Sequence, residues 1–351
     1  ISMALLKVNN VRIAGISAGV PKNIVKNVGD EIESKEYDAS DFVETTGVAE
    51  RRVTNELTTS DLCYGAAEKL IADLGWDKSE IQALFFITQF PDYIIPATSC
   101  ILQNKLSLSK DCYAMDISLG CSGWVYGLCS LASLMQTGYI KKALLLAGDG
   151  KRTTEHFSLH ETLFGHAGTV TALEYDENAK PMYFDFGTDG SGAGSIIIPD
   201  GAARNQFSED SLKIENVDGQ YVSRLETRMK GMDVFSFGIT TAPKSIKKLL
   251  KFMDDTDISE FDYYLFHQAN LKMNKFITKK LKLPEDKVPY SMTRYGNTSS
   301  ASIPLTVVTE IRNEVNASSK KLLCCGFGVG LSWGTVALEI DNILISDLIE
   351  I

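Results

Sequence analysis

Among seven cysteines, one stands where a nucleophile would. Cys121 lies in "DISLGCSGWVYGL", where an apolar run gives way to small and aromatic residues. The pattern reads as strand, turn and helix, and a thiol at a helix start faces unpaired N–H groups and the positive end of the helix dipole. Such a place lowers a thiol pKa by one to several units from roughly 8.5. Cysteine is also among the most buried residue types, so position alone leaves an inert packed thiol open. The others, Cys63, Cys100, Cys112, Cys129, Cys324 and Cys325, show no CxxC spacing. They read as mostly buried, reduced, small apolar side chains, with no disulfide framework and no zinc site.

A thiol nucleophile needs a partner, and only four histidines are present. His156, His160 and His166 share the segment "TEHFSLHETLFGH". His156 and His160 have helical i, i+4 spacing, but no HExxH-type carboxylate accompanies them and the phenylalanines suit a packed loop, so no metal is expected. His267 ends the strand-like "DYYLFH" and would leave a sheet at a strand's carboxyl end, where α/β proteins bind ligands. A core histidine bonded to backbone is the competing reading. Asn297, in "RYGNTSSAS", is either a donor to a substrate or the cap of the helix that follows. "GFGVGLSWG" places glycine at alternate positions, which allows close backbone approach to a ligand or another strand. Without a GK[ST] ending it is no phosphate loop.

The elements that position these residues occur twice. "ALFFITQ" from Ala83 and "YYLFHQA" from Tyr263 are 263 − 83 = 180 residues apart. "KKALLLAGDG" from Lys141 and "KKLLCCGFGVG" from Lys320 are 320 − 141 = 179 apart, and Cys121 and Asn297 are 297 − 121 = 176 apart. Two duplicated halves are therefore expected, residues 1–174 carrying the cysteine and 175–351 the histidine and asparagine. Each alternates apolar strands with helices, the mark of sheets buried on both faces. "SDLCYGAAEKLIADLG" is expected as a helix capped by Ser60 and stopped by Gly75, with another running from Ser122 to Gly138. That second helix and "TSSASIPLTVV" carry few charges, so both are read as central helices between two sheets, a five-layer arrangement.

A formal charge of −10 argues against nonspecific nucleic-acid binding. No stretch has a membrane-span or leader pattern, and a cytoplasmic enzyme is expected.

Together, "DISLGCSGWVYGL", "FHQAN", "YGNTSSASIPL" and "GFGVGLSWG" resemble the ketoacyl-acyl-carrier-protein synthase III family of condensing enzymes, within the thiolase superfamily. The resemblance implies a thiolase-like five-layer αβαβα fold, a homodimer, and no cofactor or metal. It implies Cys121, His267 and Asn297 as catalytic residues, acylation of Cys121 by a thioester, and decarboxylative condensation with malonyl-acyl carrier protein. Asn270, Gly328 and Val329 would contact substrate, and Lys272 and Lys275 would receive the carrier protein. Lys244, Lys247, Lys248 and Lys251 offer another basic face. Asp41 and Thr45 stand where relatives using coenzyme A have an adenine-clamping tryptophan and arginine, which leaves the primer's carrier open between coenzyme A and carrier protein. His166 replaces an acidic residue and Val329 a common glycine. The same fold could instead transfer an acyl group to an amine or alcohol. A cysteine peptidase also uses Cys, His and Asn, but has no place for the duplication.

Overall fold

The computed structural model describes residues 4–27, 39–150, 161–217 and 220–351. His156 and His160 lie outside the described residues. The chain begins with β1 (Leu5–Val8), β2 (Val11–Val20), β3 (Ile24–Lys26), α1 (Ala39–Thr46) and β4 (Glu50–Arg52). It continues with α2 (Thr59–Leu74), β5 (Ala83–Ile87), α3 (Thr98–Lys105), β6 (Tyr113–Ile117), α4 (Gly123–Met135), β7 (Lys142–Asp149) and β8 (Ala167–Tyr175). Next come β9 (Met182–Thr188), the short β10 (Ile196–Ile197), β11 (Glu215–Val217), β12 (Gln220–Val222) and β13 (Arg228–Met229), then α5 (Gly231–Phe252), β14 (Tyr263–Phe266) and α6 (Leu271–Leu281). The last elements are α7 (Met292–Tyr295), α8 (Ser302–Glu310), α9 (Arg312–Ala317), β15 (Lys320–Gly328), β16 (Ser332–Ile340), β17 (Leu344–Ile345) and β18 (Ile349–Glu350).

Two large sheets form among the described residues, ordered β17-β2-β8-β7-β5-β6 and β1-β9-β16-β15-β14. In the first, β2, β8 and β7 are antiparallel in turn and β7 is parallel to β5. In the second, β9, β16 and β15 are antiparallel in turn and β15 is parallel to β14. Strand order and sense thus repeat from one sheet to the other. The chain ends cross over: β1 pairs with β9, while β17 and β18 lie along β2.

The apolar residues of α4 and α8 fill the space between the sheets, with Trp124, Leu128, Leu131 and Met135 buried alongside Ile303, Leu305 and Val307. On the outer face of the first sheet, Leu70 of α2 and Leu102 of α3 pack on Leu84 and Leu146. On the outer face of the second, Ile246 of α5 and Ile277 of α6 pack on Phe266 and Leu323. These are the five αβαβα layers, and they bury both faces of both sheets, which is why the strands read as continuous apolar runs.

Four local expectations change. The cap of α2 is Thr58, in a capping box with Asp61, because the Ser60 hydroxyl donates to Asp92 instead. α4 stops at Met135, short of Gly138. α5 begins at Gly231 and carries Pro243 inside it, well before the "TTAPKSIKKLL" stretch where a helix was expected. The segment "VPYSMTRYG", which precedes Asn297 in the repeat as the strand-like "CYAMDISLG" precedes Cys121, forms the helical turn α7 instead of a strand, because the Gln268 side-chain oxygen accepts the N–H groups of Ser291 and Met292.

Candidate functional site

Cys121 occupies the turn between β6 and α4, where the Gly123 N–H donates to the Gly120 carbonyl at 2.7 Å. The end of β15 runs directly against it. A Cβ at Gly328 would lie 2.7 Å from both Cβ and Sγ of Cys121, and one at Gly326 would lie 2.8 Å from its carbonyl oxygen. The alternating glycines therefore serve the approach of the strand to the turn that bears Cys121.

The thiol is half-buried. The backbone N–H groups of Val329 and of Cys121 itself hydrogen-bond its sulfur, but burial outweighs them and pushes the thiol up to about 11. This overturns the expectation of a lowered pKa. A thiolate here loses hydration and feels the buried Asp149 carboxylate, and those two effects exceed what the turn's donors return. The same burial pushes Cys112 and Cys129 up to about 11. Acidity does not single out Cys121, whereas its neighbours do.

His267 directly follows β14, and its N–H donates to the Cys325 carbonyl at 2.9 Å. Its ring meets Phe327 edge-on at 5.8 Å, and Nδ1 lies 2.8 Å from Ser302 Oγ. Burial lowers its pKa to about 3, so the imidazole is neutral near pH 7. Asn274 of α6 donates to the His267 carbonyl at 3.1 Å, fixing the backbone behind the ring.

Asn297 follows Gly296, whose φ of 67° suits glycine. Its N–H donates to the Leu163 carbonyl at 2.8 Å, and its carbonyl accepts from Gly165 at 3.1 Å. Oδ1 accepts the Ser299 N–H at 2.9 Å, which commits the side-chain oxygen to the backbone and leaves the amide N–H group as the other pole. The capping and donor readings are thus compatible.

One cavity of about 430 Å³ is lined by Cys121, His267 and Asn297 together with Asn270, Lys272, Gly328 and Val329. Asn270 is also the N-cap of α6, its Oδ1 accepting from Met273 at 2.8 Å. Lys272 and Lys275 are exposed on the first turns of α6. Lys248 is not part of an open basic face, because its ammonium pairs with the buried Asp185 carboxylate. Thr45 of α1 reaches the cavity, while Asp41 is exposed on the same helix.

His166 lines the cavity, and its Nδ1 accepts the Thr54 N–H at 3.1 Å. Burial, then the nearby Arg51 guanidinium, lowers its pKa to about 4. Among the described residues, no group of three or more His, Cys, Asp or Glu is placed to hold a metal. Nor is any helix among them long and apolar enough to cross a membrane.

Among the lining residues that went unread in the sequence, Asp149 and Ser299 are the ones that act on the Cys121 thiol. Asp149 ends β7, and its Oδ1 accepts from the Thr88 hydroxyl and the Gln89 N–H, both at 2.8 Å. Burial pushes its carboxyl up to about 6, against the lowering effect of Ser299, Gln89, Thr88 and Ser300. A carboxylate closing a buried strand at its carboxyl end was the available signal.

Comparison with known proteins agrees along the chain. Residues 115–190 match the family described as 3-oxoacyl-[acyl-carrier-protein (ACP)] synthase III, and residues 254–340 match its C-terminal part. The β-ketoacyl-[acyl-carrier-protein] synthase III of Clostridium acetobutylicum is 32% identical, with 94% of this chain and 99% of that protein covered. That of Streptococcus mutans is 30% identical, covering 92% and 96%. The crystal structure of a 3-oxoacyl-(acyl-carrier protein) synthase from Burkholderia xenovorans superposes with a TM-score of 0.90 at 37% identity, covering 99% of each chain.

Proposed function

Since this chain belongs to the 3-oxoacyl-[acyl-carrier-protein] synthase III family, we propose that Cys121, His267 and Asn297 are the groups with which it condenses an acyl primer and malonyl-acyl carrier protein. The observation carrying this reading is the single cavity in which all three side chains meet against the glycine end of β15.

In the first half-reaction, Cys121 Sγ attacks the carbonyl carbon of an acyl thioester. The new C–S bond forms, the bond to the carrier sulfur breaks, and the carrier leaves as a thiol. The N–H groups of Cys121 and Val329, both directed at the sulfur, are placed to take the developing oxyanion. In the second, malonyl thioester loses carbon dioxide, and the electron pair of the broken C–C bond becomes an enolate. The neutral imidazole of His267 and the Asn297 amide donate to the enolate oxygen without protonating its carbon. The step uses the tautomer in which Ser302 donates to Nδ1 and the ring proton sits on Nε2. The carbanion then attacks acyl-Cys121 and expels the sulfur as the 3-oxoacyl product forms.

The relatives' names support carbon–carbon bond formation over acyl transfer to an amine or alcohol. Asn270 at the cap of α6 is assigned to the carrier's pantetheine arm, and Lys272 and Lys275 to the acidic carrier protein. Coenzyme A remains an alternative primer carrier. A homodimer in the cytoplasm completes the reading. Supporting the dimer, Tyr93, Ile94 and Ile95 are exposed on a loop braced at Asp92 by Ser60 and Thr98, an apolar surface that a second copy would cover. The halves 1–174 and 175–351 are kept as the two units of the duplication.

The test is to supply an acyl thioester and malonyl-acyl carrier protein and measure both the mass of the protein and carbon dioxide release. An acyl adduct on Cys121 and carbon dioxide in step with a 3-oxoacyl product are expected. A Cys121→Ala protein that still acquires the acyl group sinks the assignment.

A further inference from the structure

We propose that Ser299 and Asp149 form the route by which the Cys121 thiol gives up its proton during acylation, Ser299 touching the sulfur and Asp149 acting through Ser299. The inference rests on the proposed function above. The acylation chemistry requires that a proton leave the sulfur, and neither His267 nor Asn297 is suited to take it. His267 is too weak a base when buried, and the Asn297 oxygen already accepts from backbone.

The geometry supplies another path. Ser299 Oγ lies 4.0 Å from Cys121 Sγ. Asp149 lines the same cavity with its Oδ2 buried and without a hydrogen-bond partner among the described residues, and Ser299 is the side chain that most favours its ionised form. Asp149 is buried and fixed through Oδ1 by Thr88 and Gln89. Ser299 is held with φ of 50°, a left-handed backbone that costs a non-glycine residue free energy, and the Asn297 side chain pins it there. Strain of this kind persists where surrounding structure imposes it, characteristically at functional sites.

The step balances. As the S–C bond forms, the S–H proton passes to Ser299 Oγ while the Ser299 O–H proton passes to Asp149. The carrier's C–S bond breaks, and the departing thiolate takes one proton back along the same path. With its carboxyl near 6, Asp149 is ionised at neutral pH and able to accept. Its negative charge also keeps the resting thiol protonated, so the nucleophile forms only with primer present. The other titratable groups around Asp149 are Cys121, Cys63 on α2, and neutral His166, which precedes its strand partner Ala167.

The experiment follows acylation of Cys121 by rapid mixing and intact mass across about pH 5 to 9, for the wild type, Asp149→Asn, Asp149→Glu and Ser299→Ala. Carbon dioxide release from malonyl-acyl carrier protein by the pre-acylated proteins is measured alongside. Wild-type acylation is expected to rise with pH through about 6. Asp149→Asn and Ser299→Ala should slow it about 100-fold and abolish that rise, with Asp149→Glu recovering part and decarboxylation changing only several-fold. Ser299→Ala leaves Asp149 in place with the Thr88 and Gln89 donors to its Oδ1, so its result does not depend on that packing. An Asp149→Asn protein that acylates at the wild-type rate, or slows both half-reactions equally with a lower melting temperature, overturns the relay. If the wild type itself neither acylates at Cys121 nor releases carbon dioxide, the proposed function falls and the relay with it. If it does both while Asp149→Asn keeps pace, only the relay falls.

Discussion

The turn bearing Cys121 and the turn bearing Asn297 sit in corresponding places of a repeated architecture, yet they are built oppositely. The first is shaped by missing side chains, with Gly326 and Gly328 letting β15 close on Cys121 and Gly120 leaving room for the Gln89 and Val329 side chains. The second is dense with polar bonds: Asn297 to Ser299, Ser302 to His267 and Ser291 to Thr306, all buried. A nucleophile needs access and steric room, whereas donors to a transient enolate need orientation fixed in advance. Under the proposed function, duplication lets each turn meet one demand, and the cavity joins them.

Substitutions on either side can break that contrast. Cys121→Ala should leave the fold intact and abolish covalent acylation, with condensation down at least about 10^4-fold, read by intact mass and product formation. Asn297→Ala removes one enolate donor and the pin on Ser299, so decarboxylation should fall about 100- to 1,000-fold. A fall confined to acylation would contradict the division of labour. Gly328→Ala forces a methyl against Cys121 Sγ, and the displaced sulfur should acylate about 100-fold more slowly. Unchanged acylation kinetics there would mean that close approach is dispensable.

The pH response sharpens the comparison on the polar side. His166 has its folded pKa lowered from 6.5 to about 4. The unfolded chain therefore takes up the proton first, and the stability His166 contributes is present above about 6.5 and lost as pH falls toward 4. His166→Gln, whose side-chain oxygen can accept from Thr54, should show a smaller drop in melting temperature between pH 7 and 5 than the wild type. The mildest effect is expected outside both turns. Lys272→Glu with Lys275→Glu should raise KM for malonyl-acyl carrier protein several-fold at low salt with kcat retained.

Much of this site was legible because the repeat fixed where Cys121, His267 and Asn297 must fall relative to strand ends, and strand ends are where α/β sheets open to ligands. What escaped reading depended on partners distant in sequence. The thiol's pKa is set by burial and by Asp149, neither visible in "LGCSG". Thr58 rather than Ser60 caps α2 because Ser60 is taken by Asp92, 32 residues away. Lys248 reads as a surface lysine until Asp185, 63 residues earlier, is found beneath it. "VPYSM" has strand composition, but a glutamine from the preceding loop bends it into a helical turn.

The crossing of the chain ends has a consequence during synthesis. Residues 344–350 form the outer edge of the sheet that begins with β2, and Ile351 exchanges backbone hydrogen bonds with Val20 and Lys22. On the ribosome that edge stays open until residues 344–351 have left the exit tunnel. A nascent chain that already holds β2 and its sheet neighbours thus presents an unpaired strand, the state most prone to joining a neighbour's sheet. Pairing of residues 344–351 with β2 is the event that protects that edge.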